Sequence, residues 1–232
     1  MPDYPKIETA GEASLIVYLA AEASPDSAAA VRSLGDALRE RLGEHIEDLI
    51  PAHASLLVIF DAHATNHAAV AGELREIIAR LQQGRTEGGR LVQIPVYYAP
   101  ESGEDIEELG RSSGLGWEGV AELHASREYQ VYAIGFAPGF AYLGDVDDRI
   151  ARPRLATPRP RVPRGAVAIA ERQTAVYPAD SPGGWNLIGR SPMTLFNADA
   201  DSEDTAMVLR AGDRVRFRPV DRDEFEALGG VL

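Results

Sequence analysis

Cysteine is missing from all 232 residues, which excludes a disulfide framework, a thiolate nucleophile and any cysteine-ligated zinc or iron–sulfur site. Lysine is nearly missing: of the 23 basic residues 22 are arginines and one is Lys6. A P-loop needs a lysine after its glycines, and Schiff-base chemistry or biotin carriage needs a lysine amine, so these roles fall away unless Lys6 takes them. Long apolar runs are missing too. The longest, Leu15 to Ala21, has 7 residues, against the roughly 20 of a membrane-spanning helix. No membrane partner is expected. The opening Met1-Pro2-Asp3-Tyr4-Pro5-Lys6 lacks the basic start and apolar core of a secretory signal, which predicts a cytoplasmic protein.

What is present is an ordinary globular composition, 45% hydrophobic and 25% charged, with an unevenly placed net charge of −13. Residues 1–125 hold 21 acids and 9 bases, whereas residues 126–232 hold 15 and 14. Such a shift suggests two units. The acidic half argues against a nucleic-acid partner, which needs clustered Lys and Arg on one face.

In the first half, Ser14 to Leu19 reads as a buried strand, and Ser24-Pro25-Asp26 starts a helix carrying Val31, Leu34, Leu38 and Leu42 on one face. Ile46–Ile50 and Leu56–Phe60 follow as strands, then a helix capped by Asn66 with Val70, Leu74, Ile77, Ile78 and Leu81 on its apolar face, then a strand over Leu91–Tyr97. That order predicts a ferredoxin-like split βαβ domain over residues 1–100. His45, His53, His63 and His67 all lie in it, but no metalloprotease glutamate accompanies His63 and His67, and no metal site is assigned. Residues 101–127 read as a helical connector.

From residue 128 the texture changes to short β-type runs separated by Gly, Pro and Asp: Tyr129–Ile134, Ala166–Ala170, Thr174–Tyr177, Trp185–Ile188, Met193–Phe196 and Arg214–Arg218. Closely spaced short strands predict a barrel or sandwich, closed by a helix over Asp221–Leu228. Three stretches here stand out. Gly135 to Gly144 spaces Phe136, Phe140 and Tyr142 among glycines and a proline, which suits either an apolar pocket wall or a tight turn burying aromatics. Arg149 to Arg164 holds six arginines and four prolines, a stiffened segment able to present guanidinium forks to carboxylate or phosphate, or simply a solvated loop. Gln173 to Trp185 contains Ser181-Pro182-Gly183-Gly184, whose bare backbone could form an anion nest, or a plain turn with Trp185 in the core. Ser181 lacks the G-x-S-x-G surroundings of a nucleophile elbow.

The run Gly135-Phe136-Ala137-Pro138-Gly139-Phe140-x-Tyr142-Leu143, with Pro153-Arg154, Thr157-Pro158-Arg159, Val162-Pro163-x-Gly165, Gln173-Thr174-x-x-Tyr177-Pro178, Ser181-Pro182-Gly183-Gly184-Trp185 and Ile188-Gly189-Arg190, resembles the B subunit of 5-oxoprolinase. This family is also labelled allophanate hydrolase subunit 1 and includes the sporulation kinase A inhibitor. The resemblance implies an α+β protein with a ferredoxin-like N-terminal domain and a cyclophilin-like β-barrel over residues 128–232. It implies work with the C and A subunits of 5-oxoprolinase in the ATP-dependent opening of 5-oxoproline to glutamate. His124 stands where the family has a histidine just before the barrel. The candidate catalytic residues are His124, Arg159 and Tyr177. The candidate substrate-binding residues are Phe136, Phe140, Tyr142, Arg154, Gln173, Ser181, Gly183, Gly184 and Trp185.

A lactam carboxylate as small-molecule substrate would suit Arg154 or Arg159 and the Gly183-Gly184 backbone. Coupling to ATP answers the reluctance of an unstrained five-membered lactam to hydrolyse, by activating its carbonyl oxygen. With no P-loop in the chain, the ATP site is expected to be shared with or supplied by partner subunits. A second reading is a regulator that binds and inhibits a sensor histidine kinase. A third is a subunit of a urea or allophanate-type amidolyase, although the amidase lysine would have to be Lys6. Proline isomerisation would rest on fold analogy alone.

Overall fold

The computed structural model describes residues 4–22, 24–52, 54–81, 89–200 and 202–232, so His53 lies outside the described residues, as does Gly84, where the sequence pattern ends the Asn66-capped helix. It divides into two compact units, residues 1–88 and 89–232.

The first unit contains strands β1 (Lys6–Gly11) and β2 (Ser14–Tyr18), helix α1 (Pro25–Leu42), strands β3 (Ile46–Pro51) and β4 (Ser55–Phe60), and helix α2 (His67–Leu81). Ser24 caps α1 reciprocally with Ser27: each hydroxyl accepts the other's backbone N–H, at 3.0 and 2.9 Å. The anticipated helix faces are the buried ones. Val31, Leu34 and Leu38 of α1 and Val70, Leu74, Ile77 and Ile78 of α2 join Leu15, Val17, Leu56, Val58 and Phe60 of the sheet in one core. The sheet is antiparallel in the order β1-β2-β4-β3.

Here the structure corrects the sequence reading. The expected last strand of this unit, Leu91–Tyr97, is not in its sheet, and the edge beside β2 is taken by β1, which no sequence pattern suggests. A strand from one side of α1 thus replaces one expected beyond α2, and the domain boundary falls at residue 88 rather than 100.

The second unit begins with that strand, β5 (Leu91–Tyr97), followed by helices α3 (Ile106–Ser113) and α4 (Gly116–Ala125) and strands β6 (Glu128–Ile134), β7 (Ala141–Gly144), β8 (Arg159–Val162), β9 (Ala166–Ala170), β10 (Gln173–Val176), β11 (Ser181–Gly183) and β12 (Asn186–Arg190). Helix α5 (Glu203–Ala206), strand β13 (Arg214–Val220) and helix α6 (Arg222–Ala227) complete it. The expected barrel forms, as a closed ring β10-β7-β6-β13-β5-β12-β9. Its single parallel seam pairs β5 with β13 over their whole length, Leu91 opposite Arg214 through Tyr97 opposite Val220. The expected strand over Met193–Phe196 is not formed; only Phe196 makes an isolated bridge, to Met207.

The connector helices belong to this unit. Ile106 and Leu109 of α3 and Val120 and Ala121 of α4 pack into the barrel's inner core with Ile94, Val131, Leu143, Ile169, Val176 and Phe217. Strand β9 is buried on both faces. Val167 and Ile169 point inward, while Ala166, Ala168 and Ala170 face a second, outer core covered by the antiparallel ribbon of β8 and β11. Alanines suit that face because a second layer must lie close against it.

Candidate functional site

The outer core gathers most of the residues that the motifs single out. Phe140 sits at its centre, with its ring edge-on to Phe136 at 5.2 Å, Tyr142 at 5.0 Å, Tyr177 at 5.3 Å and Trp185 at 5.7 Å. Edge-to-face contacts at these spacings match the quadrupole preference of aromatic rings. Phe140, Tyr177 and Trp185 are buried, so these rings pack as a core; Tyr142 is half-buried and Phe136 is 63% exposed. Phe136 also adopts φ of +72°, a conformation that side-chain-bearing residues seldom take and that tends to cluster at functional sites. The exposed guanidinium of Arg154 lies 5.7 Å over the Trp185 ring. It has no carboxylate within ion-pair distance among the described residues. Phe136, Tyr142 and Arg154 are therefore the accessible part of this cluster.

The remaining motif residues are positioned as follows. Gln173 occupies the outward-facing register of β10, opposite Gly144 and Ala170. Gly183 has a steric reason to be glycine, because a Cβ there would lie 2.2 Å from the Tyr177 hydroxyl; at Gly184 a Cβ would meet only ordinary contacts. Burial raises the pKa of the Tyr177 hydroxyl, which keeps its proton firmly held. Ser181 Oγ is buried without a hydrogen-bond partner among the described residues.

Arg159 is committed to structure. Its Nη2 donates to both oxygens of Asp105, at 2.7 and 2.9 Å, its Nε reaches Glu104 at 3.3 Å, and its Nη1 donates to the Trp185 carbonyl at 3.3 Å. Asp105 in turn accepts the Leu187 N–H at 2.6 Å. This pair ties the start of α3, the β8–β11 ribbon and β12 together. The sequence reading missed Asp105, which stands 54 positions from Arg159 without a motif of its own.

His124 lies apart from the cluster, inside the barrel, with no exposed surface. The Tyr98 hydroxyl donates to its Nδ1 at 2.7 Å, and its Nε2 faces Thr174 Oγ1 at 2.8 Å. Because the Thr174 hydroxyl donates to the Ala168 carbonyl, 3.0 Å away, the proton between Nε2 and Thr174 belongs to the imidazole. The ring stacks on Phe217 at 4.5 Å. Burial pushes its pKa down to about 3, so the imidazole is neutral. Of the first unit's histidines, His67 at the start of α2 places Nε2 3.0 Å from the Gly11 carbonyl, and the His63 backbone N–H donates to Asp61 at 2.8 Å.

Residues 5–207 match the family model of the carboxyltransferase domain, subdomains C and D. A protein of Bacillus subtilis, named as the B subunit of 5-oxoprolinase, is 34% identical over 232 residues, covering 96% of this chain and 95% of that protein. The chain belongs to the 5-oxoprolinase B-subunit family. An Escherichia coli protein of the same name is 42% identical over 150 residues, covering 62% of this chain and 67% of its own length. Among solved structures, the crystal structure of TTHA0988 is similar at a TM-score of 0.77 and 34% identity, over 90% of this chain and 39% of that one. Within this 5-oxoprolinase B-subunit fold, the motif aromatics build the outer core, and the arginine-rich segment supplies both strand β8 of its ribbon and Arg154. No helix of the described residues is long and apolar enough to cross a membrane.

Proposed function

We propose that this chain is the B subunit of an ATP-dependent 5-oxoprolinase, which works with the C and A subunits to open 5-oxoproline to glutamate. The observation that carries the reading is the end-to-end match, 96% of this chain against 95% of a relative named for that role. In this reading the exposed edge of the outer core is the substrate-facing part. A flat five-membered lactam would rest against Phe136 and Tyr142, with its carboxylate on Arg154 and Gln173 beside it. Trp185 holds Arg154 in place, while Phe140, Tyr177, Ser181, Gly183 and Gly184 shape the layer beneath. Arg159 and His124 act as positioning residues, the first through Asp105 and the second through Tyr98 and Thr174.

The residues of this face do not fit a triphosphate. Arg154 is its one guanidinium without a carboxylate among the described residues, and Arg159 is already neutralised by Asp105 and Glu104. ATP is accordingly assigned to the partner subunits or to a surface they share.

The test is glutamate release from 5-oxoproline and ATP with this chain alone, with the A and C subunits alone, and with all three. Activity in the full mixture only is expected, and Arg154→Ala in that mixture should raise KM about tenfold, the loss of one charge-assisted contact. Full activity of the A and C subunits without this chain would overturn the proposal. So would silence of a fully folded mixture, which would turn attention to a urea-like substrate or to binding of a sensor histidine kinase.

A further inference from the structure

Away from the aromatic cluster, a cleft of about 350 Å³ opens where the residues before β9 meet the end of β12, lined by Arg161, Arg164, Arg190, Asp180 and Ser191, with residues 229–232 along one side. Its charge is unbalanced. Asp180 is fully engaged: one oxygen takes Arg161 at 2.8 and 2.6 Å, and the other accepts the Arg164 backbone N–H at 2.8 Å. That neutralises Arg161 and leaves two guanidiniums, Arg164 and Arg190, with no carboxylate within ion-pair distance among the described residues. Arg164 reaches only the Thr194 hydroxyl, at 3.3 Å.

Arg190 is the more telling of the two. Its Nε is buried with no partner among the described residues, and its hydrogen bond from Nη1 to the Val231 carbonyl is long, at 3.3 Å. Its stem is fixed against Gly165, where a Cβ would come within 3.1 Å of the Arg190 Cδ. Burial lowers the pKa of this guanidinium. Asp180 and Glu104 offset this only from beyond ion-pair distance; a desolvated cation without a directly bonded counter-charge is costly, and an anion in the cleft would remove that cost. Ser191 adds a donor. It is 4% exposed, its Oγ accepts the Met193 N–H at 3.2 Å, and no described residue takes its own proton.

We infer that this cleft binds a phosphate group, as inorganic phosphate or a small phosphate monoester, through Arg190, Arg164 and the Ser191 hydroxyl. Two guanidiniums without a directly paired carboxylate match a dianion better than a monocarboxylate, and planar guanidinium forks suit phosphate oxygens. The volume exceeds that of bare phosphate and leaves room for a small organic substituent. The inference does not depend on the lactam reading, because the cleft shares none of the substrate-facing residues named above.

The experiment is calorimetric titration of the full chain with inorganic phosphate, methyl phosphate and acetate at one ionic strength. Both phosphates should bind, acetate about tenfold more weakly or not at all, and the tighter of the two phosphates identifies the natural form. Arg190→Gln and Arg164→Gln should each weaken phosphate about tenfold, the loss of one charge-assisted fork, while Arg154→Ala should leave it unchanged. Arg164 is exposed, so its variant keeps the test decisive should Arg190→Gln fail to fold. Acetate or 5-oxoproline binding as tightly as phosphate would overturn the inference. So would absence of phosphate binding at millimolar concentration, or binding indifferent to Arg164.

Discussion

Because both nitrogens of the His124 ring have partners inside the barrel, its contribution to the protein depends on remaining uncharged. Its folded pKa of about 3 lies below the 6.5 of an ordinary histidine. Above pH 6.5 both folded and unfolded chains hold it neutral, and the full stability is present. Below pH 6.5 the unfolded chain takes up a proton that the folded barrel refuses, so stability falls by about 1.4 kcal/mol per pH unit until the pH nears the folded value. At pH 5 the loss is about 2 kcal/mol. Chemical denaturation at pH 7 and pH 5 should show that difference in the native protein. His124→Gln, less stable throughout, should lose less between the two values; an equal loss would refute the assignment. His124 was legible as a marked position from its motif. Its burial was not, since Tyr98 and Thr174 stand 26 and 50 positions away and only the closed barrel brings them to it.

At the scale of elements, the ribbon of β8 and β11 is held down by Arg159 and Asp105, whose side chains are only 20% and 18% exposed. Such a pair is worth more intact than broken, because removing one partner leaves a poorly solvated charge. Arg159→Lys cannot reproduce the bidentate fork or reach the Trp185 carbonyl as well. It should lower the denaturation midpoint by an amount equivalent to about 2 kcal/mol, read from tryptophan fluorescence. Normal stability with lost activity would instead make Arg159 a substrate contact.

The sequence patterns located β6, β9, β12 and β13 well, because their apolar runs are local. They missed β8 because Pro158, Pro160 and Pro163, in and around Arg159–Val162, read as loop, which a two-stranded edge ribbon tolerates. They put β5 in the wrong unit because its parallel partner begins 123 residues later, at Arg214, and parallel pairing has no hairpin signature. The aromatic cluster was legible as a constellation, but whether its rings lined a pocket or filled a core depended on the alanine face of β9 beneath them.

At the scale of the molecule, the first unit's core is separate from the two cores of the second, which implies two separable unfolding events. Both tryptophans, Trp117 and Trp185, lie in the second unit, so fluorescence reports on it alone. Leu34→Ala removes a fully buried side chain from the first core and should cost that unit about 3 kcal/mol. The circular-dichroism transition should then split or broaden toward lower denaturant while the fluorescence midpoint stays put. Coincident shifts of both probes would show that the units unfold as one. The parallel seam has a further consequence during synthesis. The described strands and helices of the first unit are complete once residue 81 has emerged from the ribosome, whereas β5 must wait until residue 220 for its full-length neighbour. For the time needed to translate the intervening stretch, on the order of ten seconds, the nascent chain carries a formed N-terminal unit and an unclosed barrel edge. That interval is when the second unit is most exposed to mispairing and most in need of a chaperone.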